Sequence, residues 1–183
     1  MNRDLEIVVC GVGGQGILFL ARTLYEMARR AGRKVMGSET HGMSQRGGSV
    51  TSHVKIGDFH SPMVRAGAAD LLIVVKAEEV YANLSFLKEG GCIVMNASSG
   101  FALDPGVERA LKEKGIGIFC TDATKCAMAA DAPMAANLVL LSSGIQAGYI
   151  PSDYDSIVET VAAVTPQKFL ENNLAAVKAG FTR

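Results

Sequence analysis

The chain has 183 residues, 49% of them hydrophobic and 20% charged, with 20 glycines and no tryptophan, which is the profile of a compact α/β protein rather than a disordered one. Lysine plus arginine and aspartate plus glutamate both number 18, so no bulk field draws nucleic acid or an anionic membrane, and neither is expected as a partner. One domain over residues 1–183 is expected at this length. The polar start MNRDLEIVVC lacks the layout of a signal peptide, no apolar run is long enough to span a bilayer, and Cys10, Cys92, Cys120 and Cys126 form no CxxC pair. Buried thiols in a cytoplasmic protein are the expectation.

The first element is the apolar run LEIVVC, read as a strand, followed by the loop GVGGQG. From Ile17 to Arg30, apolar residues at Ile17, Leu20, Ala21, Leu24, Met27 and Ala28 recur at helical spacing, and Gly32 closes that helix. A short second strand at Arg33–Met36 leads into SETHGMSQRGGS, a polar glycine-rich loop. Alternation from Val50 to Ile56 predicts a half-exposed strand, with Gly57-Asp58 as a hairpin turn and Phe59–Val64 as the returning strand. Leu71–Val75 reads as a buried strand, followed by a helix that ends at Gly90-Gly91. CIVMNAS and GIGIFCTDA are further strands, separated by the helix VERALKEKG.

The last third is helical. Met134, Leu138, Leu141 and Ile145 line one predicted face. Ser152 is read as an N-cap with Asp155 as its reciprocal acid, and Thr165-Pro166 opens a helix with a stripe of Leu170, Leu174, Val177 and Phe181. Strands alternating with helices imply an open, mostly parallel Rossmann-like sheet with helices on both faces, an antiparallel hairpin near 50–64 and a helical C-terminal third.

Two loops carry the candidate chemistry. Gly11, Gly13 and Gly16 stand between a strand and a helix at dinucleotide-fingerprint spacing, with Gly14 and Gln15 between them, so the loop either cradles a phosphate at a helix N-terminus or simply turns tightly. Glu39 could stand where an acid reads a ribose hydroxyl. Loops at the carboxyl ends of parallel strands share a rim, so His41, Gln45, Arg46, Gly47 and Gly48 are expected beside the first loop, where backbone N–H groups and a guanidinium could hold an anion. Alternatively Glu39 and Arg46 pair and the glycines only reverse the chain. His41 has no nucleophile specified with it, His53 and His60 lack ligand spacing, and Glu78-Glu79 suit a helix start, so no catalytic residue and no metal site are assigned.

GVGGQG followed by ETHGMSQRGGSV, SHVKIGDFHSPMV, AADLLIVVKAEEV, GGCIVMNAS and ENNLAAVKAGF resembles the small gamma-type subunits of the 2-oxoacid:ferredoxin oxidoreductases over nearly the whole chain, most of all the beta subunit of the indolepyruvate type. The resemblance implies a heteromeric enzyme that decarboxylates an aryl 2-oxo acid, joins the acyl group to coenzyme A and passes electrons to ferredoxin. The chain has neither a GDG-type diphosphate motif nor clustered CxxCxxC, so it is expected to bind no cofactor alone. Thiamine diphosphate, magnesium and iron–sulfur clusters then belong to a large partner subunit. The isolated chain could also pair with itself through its exposed docking face. Two other readings stand beside this one: an NAD- or FAD-binding Rossmann domain of another oxidoreductase, and a non-catalytic interaction module.

Overall fold

The computed structural model describes residues 3–41 and 47–182. In chain order, the strands are β1 (Leu5–Val12), β2 (Val35–His41), β3 (Ser49–Ile56), β4 (Ala69–Val74), β5 (Leu87–Asn96) and β6 (Gly117–Thr121). The helices are α1 (Ile17–Arg30), the short α2 (Val80–Asn83) flanked by 3-10 turns, α3 (Pro105–Glu113), α4 (Ala123–Ala129), α5 (Ala136–Gln146), α6 (Tyr154–Val164) and α7 (Gln167–Phe181). The sheet order is β2-β3-β1-β4-β5-β6. β1, β4, β5 and β6 pair in parallel, whereas β3 runs antiparallel to both β1 and β2. The expected mostly parallel α/β fold is therefore present, with a single reversed strand.

Alternation along the strands separates two cores. Leu5, Ile7 and Val9 of β1 and Leu71 and Ile73 of β4 pack with α1, α5, α6 and α7, while Val8, Cys10, Leu72 and Val74 face Val80 and Leu111 on the other side. Residues 137–145 of α5 are all buried, as a helix apolar on every side must be when it lies between a sheet and other helices.

Several local expectations are corrected. The hairpin near 50–64 does not form, since residues 57–68 contain no strand. Both edges of β3 are already filled by β1 and β2, so a returning strand has no partner row of amides. The segment instead folds over β3: Lys55 Nζ donates to Met63 O at 3.3 Å and lies 4.7 Å from the Phe59 ring centre, and Val64 N–H donates to His53 Nδ1 at 3.3 Å. His53 and Lys55 are buried in consequence, and β3 is not the half-exposed strand its alternation suggests.

The helical segment after β4 stops at Phe86, and Gly90-Gly91 lie inside β5. There the pairing with β4 shifts register, and a Cβ on Gly91 would meet Ala69 O at 3.1 Å. β2 extends to His41, well into the stretch read as loop. Met134 is 87% exposed in the turn before α5, away from the buried Leu138, Leu141 and Ile145. The cap of α6 is Asp153, which accepts from Ser156 N–H at 2.8 Å, and not Ser152. Of the four thiols only Cys10 is fully buried, and Cys120 is exposed.

Candidate functional site

The loop between β1 and α1 is closed by its own residues. Gln15 Oε1 accepts from Val12 N–H at 2.9 Å, and Gln15 N–H donates back to Val12 O at 3.2 Å. Gly16 takes φ +75°, and its carbonyl accepts from Asn137 Nδ2 at 3.0 Å. A Cβ on Gly16 would run into that same Asn137 amide, and at φ +75° glycine is favoured there by backbone and packing together, whereas one on Gly11 would press on the Ile17 Cδ1 methyl, 2.6 Å away, which has to shift. Gly14, at φ +96°, has open space around it and is exposed. The first turn of α1 holds no acid, and no side chain caps its N-terminus.

Gly13 N–H donates to Gly48 O at 2.9 Å, so the two glycine-rich loops meet at one rim. Antiparallel pairing brings them together: Val12 lies opposite Ser49 and Gly11 opposite Val50, so the N-terminal end of β3 adjoins the C-terminal end of β1. Gly11, Gly13, Gly14, Gln15 and Gly16 are thus on one side, with Gly47 and Gly48 on the other. His41 ends β2 opposite Val50, while its side chain, Gln45 and Arg46 lie outside the described residues.

The position of β3 also bears on Glu39. In a dinucleotide fold the ribose-reading acid ends the strand beside β1. Here β3 intervenes, so Glu39 on β2 stands two strand spacings from β1, about 9–10 Å rather than about 5 Å. The local glycine spacing matches a dinucleotide fingerprint, but the surrounding strand order does not.

A larger cavity, about 810 Å³, opens on the far side of Gln15. It sits at the carboxyl ends of β1, β4, β5 and β6. The connection after β1 packs on one face of the sheet and those after β4 and β5 on the other, which makes the β1/β4 boundary a topological switch point. Lys76, Asn96, Ser98, Thr124 and Lys125 line it, and none of them belongs to a catalytic or binding motif in the sequence. Each stands within four residues of the end of a parallel strand, a signal that becomes usable once the strand ends are known. Asn96 knots the floor: its Nδ2 donates to Val75 O and to Thr124 Oγ1, each at 3.0 Å, and its Oδ1 accepts from Thr124 N–H at 3.3 Å. Glu78 is held below its ordinary carboxylate value by its own backbone N–H and by Lys76, 3.2 Å away.

Among the described residues, no three His, Cys, Asp or Glu side chains come together as a metal-binding group. Burial pushes the Cys10 thiol far up, which makes it a poor thiolate ligand. No helix among the described residues is long and apolar enough to cross a membrane.

Residues 6–183 match the model of the family described as pyruvate ferredoxin/flavodoxin oxidoreductase. The chain belongs to this family. Within the oxidoreductase family it is 36% identical over 191 residues to the indolepyruvate oxidoreductase subunit IorB of Thermococcus kodakarensis, covering 97% of this chain and 95% of the relative. It is 32% identical over 192 residues to IorB of Archaeoglobus fulgidus, covering 98% and 94%.

The fold matches the keto/oxoacid ferredoxin oxidoreductase gamma subunit of Geobacter sulfurreducens with TM-score 0.76 and 25% identity, over 97% of this chain and 96% of that one. The 2-oxoglutarate:ferredoxin oxidoreductase of Magnetococcus marinus, solved with 2-oxoglutarate, coenzyme A and succinyl-CoA bound, shares the fold with TM-score 0.78 at 20% identity. That match covers 98% of this chain and only 31% of the larger one, so the same fold also occurs inside a longer oxidoreductase polypeptide.

Proposed function

We propose that this chain is the small, single-domain subunit of a thiamine diphosphate-dependent 2-oxoacid:ferredoxin oxidoreductase of the indolepyruvate type. In this reading it is inactive alone and works in a heteromer with a large subunit. The observation that carries the proposal is the match to relatives named as IorB subunits over 97–98% of this chain and 94–95% of theirs. Thiamine diphosphate supplies the decarboxylation chemistry and iron–sulfur clusters carry the electrons to ferredoxin. The described residues bring together no cysteine cluster for an iron–sulfur group, and the sequence carries no GDG-type diphosphate motif for thiamine diphosphate. Both groups, with magnesium, are therefore assigned to the large subunit.

The role left to this chain is to dock and to help position coenzyme A. The rim formed by Gly11–Gly16 with His41–Gly48 is the candidate contact, through backbone N–H groups and the Arg46 guanidinium of the sequence. Its surroundings support docking: Leu18, Met134 and Phe169 are exposed large apolar residues at the start of α1, before α5 and at the start of α7. A cavity of about 460 Å³ lined by Gly14, Gly16, Met134 and Phe169 joins the rim to that apolar surface.

Co-expression of this chain with a large subunit of an indolepyruvate-type oxidoreductase from the same organism, followed by affinity purification and an assay of indolepyruvate-dependent ferredoxin reduction, tests the reading. A stable complex whose coenzyme A-dependent turnover disappears when the small chain is omitted is expected. Full turnover by the large chain alone would overturn it.

A further inference from the structure

The cavity beyond Gln15 is a built site to which the docking rim gives no role. Its floor is preorganised, because the Asn96 side chain ties together the end of β4, its own strand and the start of α4. Its walls are of two kinds. Lys76, Lys125 and Ser98 supply ammonium and hydroxyl donors, while Phe101 and Met128, the latter 62% exposed, supply apolar surface. Two carboxylates also face it, and both are engaged. Glu78 is paired with Lys76, and Asp122 accepts from Lys125 N–H at 2.9 Å as the cap of α4. The exposed Lys125 ammonium is left as the cation for an incoming anion.

We propose that this cavity binds a nucleoside phosphate, with the phosphate against Lys125 and Ser98 and the base against Phe101 and Met128. Three observations point there. The volume of about 810 Å³ exceeds what a bare carboxylate or inorganic phosphate needs and suits a base, a ribose and a phosphate. The site lies where the winding of an open α/β sheet reverses, and such crevices hold mononucleotides because strand ends and loops diverge there. The lining also sets apolar side chains beside polar donors, Phe101 near Ser98 and Met128 one turn after Lys125, which suits a ligand that carries both an anionic group and a planar ring. The proposal stands apart from the docking rim, since among the described residues only Gln15 borders both.

Isothermal titration of the full chain with ADP tests it, with adenosine as the control lacking phosphate. ADP is expected to bind in the micromolar to millimolar range and adenosine about ten-fold or more weakly, because the phosphate contributes charge-assisted bonds. Lys125→Glu and Ser98→Trp change exposed positions, so both variants should fold as the parent does, and each should weaken ADP by about ten-fold or more. Competition with coenzyme A then separates two sources of the same chemistry: displacement of ADP assigns the cavity to the phosphoadenosine end of coenzyme A, and undisturbed ADP assigns it to a free nucleotide. No ADP binding by the wild-type chain, or equal binding by Lys125→Glu, would overturn the proposal. Assembly with the large subunit is expected to survive both variants, so failure here is distinguishable from failure of the subunit reading.

Discussion

Replacing Gly16 by alanine separates a glycine kept for folding from one kept for a ligand. The backbone at Gly16 has φ +75°, which costs an L-residue about 1–2 kcal/mol. The new methyl group would also displace the Asn137 amide, breaking its bond to Gly16 O, 3.0 Å long, at a side chain only 4% exposed. Leaving that amide poorly satisfied adds about 1–3 kcal/mol. The sum is about 3 kcal/mol, which for a chain of this size lowers the melting temperature by about 6–12 °C. Gly14→Ala shares the positive φ, +96°, but meets nothing within 4 Å, so it should cost about 1 kcal/mol and about 2–4 °C. Thermal unfolding followed by circular dichroism reads both. In an Asn137→Ala background the Gly16→Ala penalty should shrink to the backbone part alone. If Gly16→Ala melts no lower than Gly14→Ala, the steric argument is wrong.

Three further outcomes follow from buried or strained groups. Burial, and then the Lys55 ammonium, pull His53 below its ordinary value of 6.5, so the unfolded chain binds more protons below that pH. Stability should therefore be fully present above about 6.5 and be lost as pH falls through the folded-state value, with the slope flattened in His53→Gln, as read by denaturant titrations at a series of pH values. Lys55→Ala removes one partner of a nearly buried pair, 3.0 Å from Glu6, together with its bond to Met63 O, and should cost about 3–5 kcal/mol. Hydrogen exchange should then quicken over residues 57–66 before anywhere else, and unchanged protection there would count against Lys55 as the anchor of that segment. Asp131 has φ +53° at an exposed turn, so Asp131→Gly should raise stability by about 0.5–1 kcal/mol in chemical denaturation, with no gain expected for Asp131→Ala.

Much of the fold was legible because its signals are local. The stripe Ile17, Leu20, Leu24 and Met27 placed α1 at its observed bounds, and the apolar run at Leu71–Val75 placed a central parallel strand to within two residues. The larger misreadings turned on contacts that no periodic pattern announces. Lys55 and His53 looked solvent-facing because their covers, Phe59, Met63 and Phe86, belong to segments with no periodicity of their own. Gly90-Gly91 looked like a helix stop, but both lie inside β5, where the backbone of Ala69 and Asp70 closely approaches Gly91.

The candidate site divides in the same way. A strand, a glycine-rich turn and a helix are written into residues 5–30, since glycine spacing and apolar period are properties of the chain itself. Sequence also sufficed for the family, because GVGGQG and HGMSQRGGS occur together in a fixed order. Only the tertiary structure decided what the turn is next to. Insertion of β3 between β1 and β2 moved Glu39 away from the loop and brought Gly48 to Gly13. The winding of four parallel strands gathered Lys76, Asn96, Ser98, Thr124 and Lys125 around one cavity. Strand order is set by which long-range pairings bury the most apolar surface at once, and no window of neighbouring residues encodes that sum.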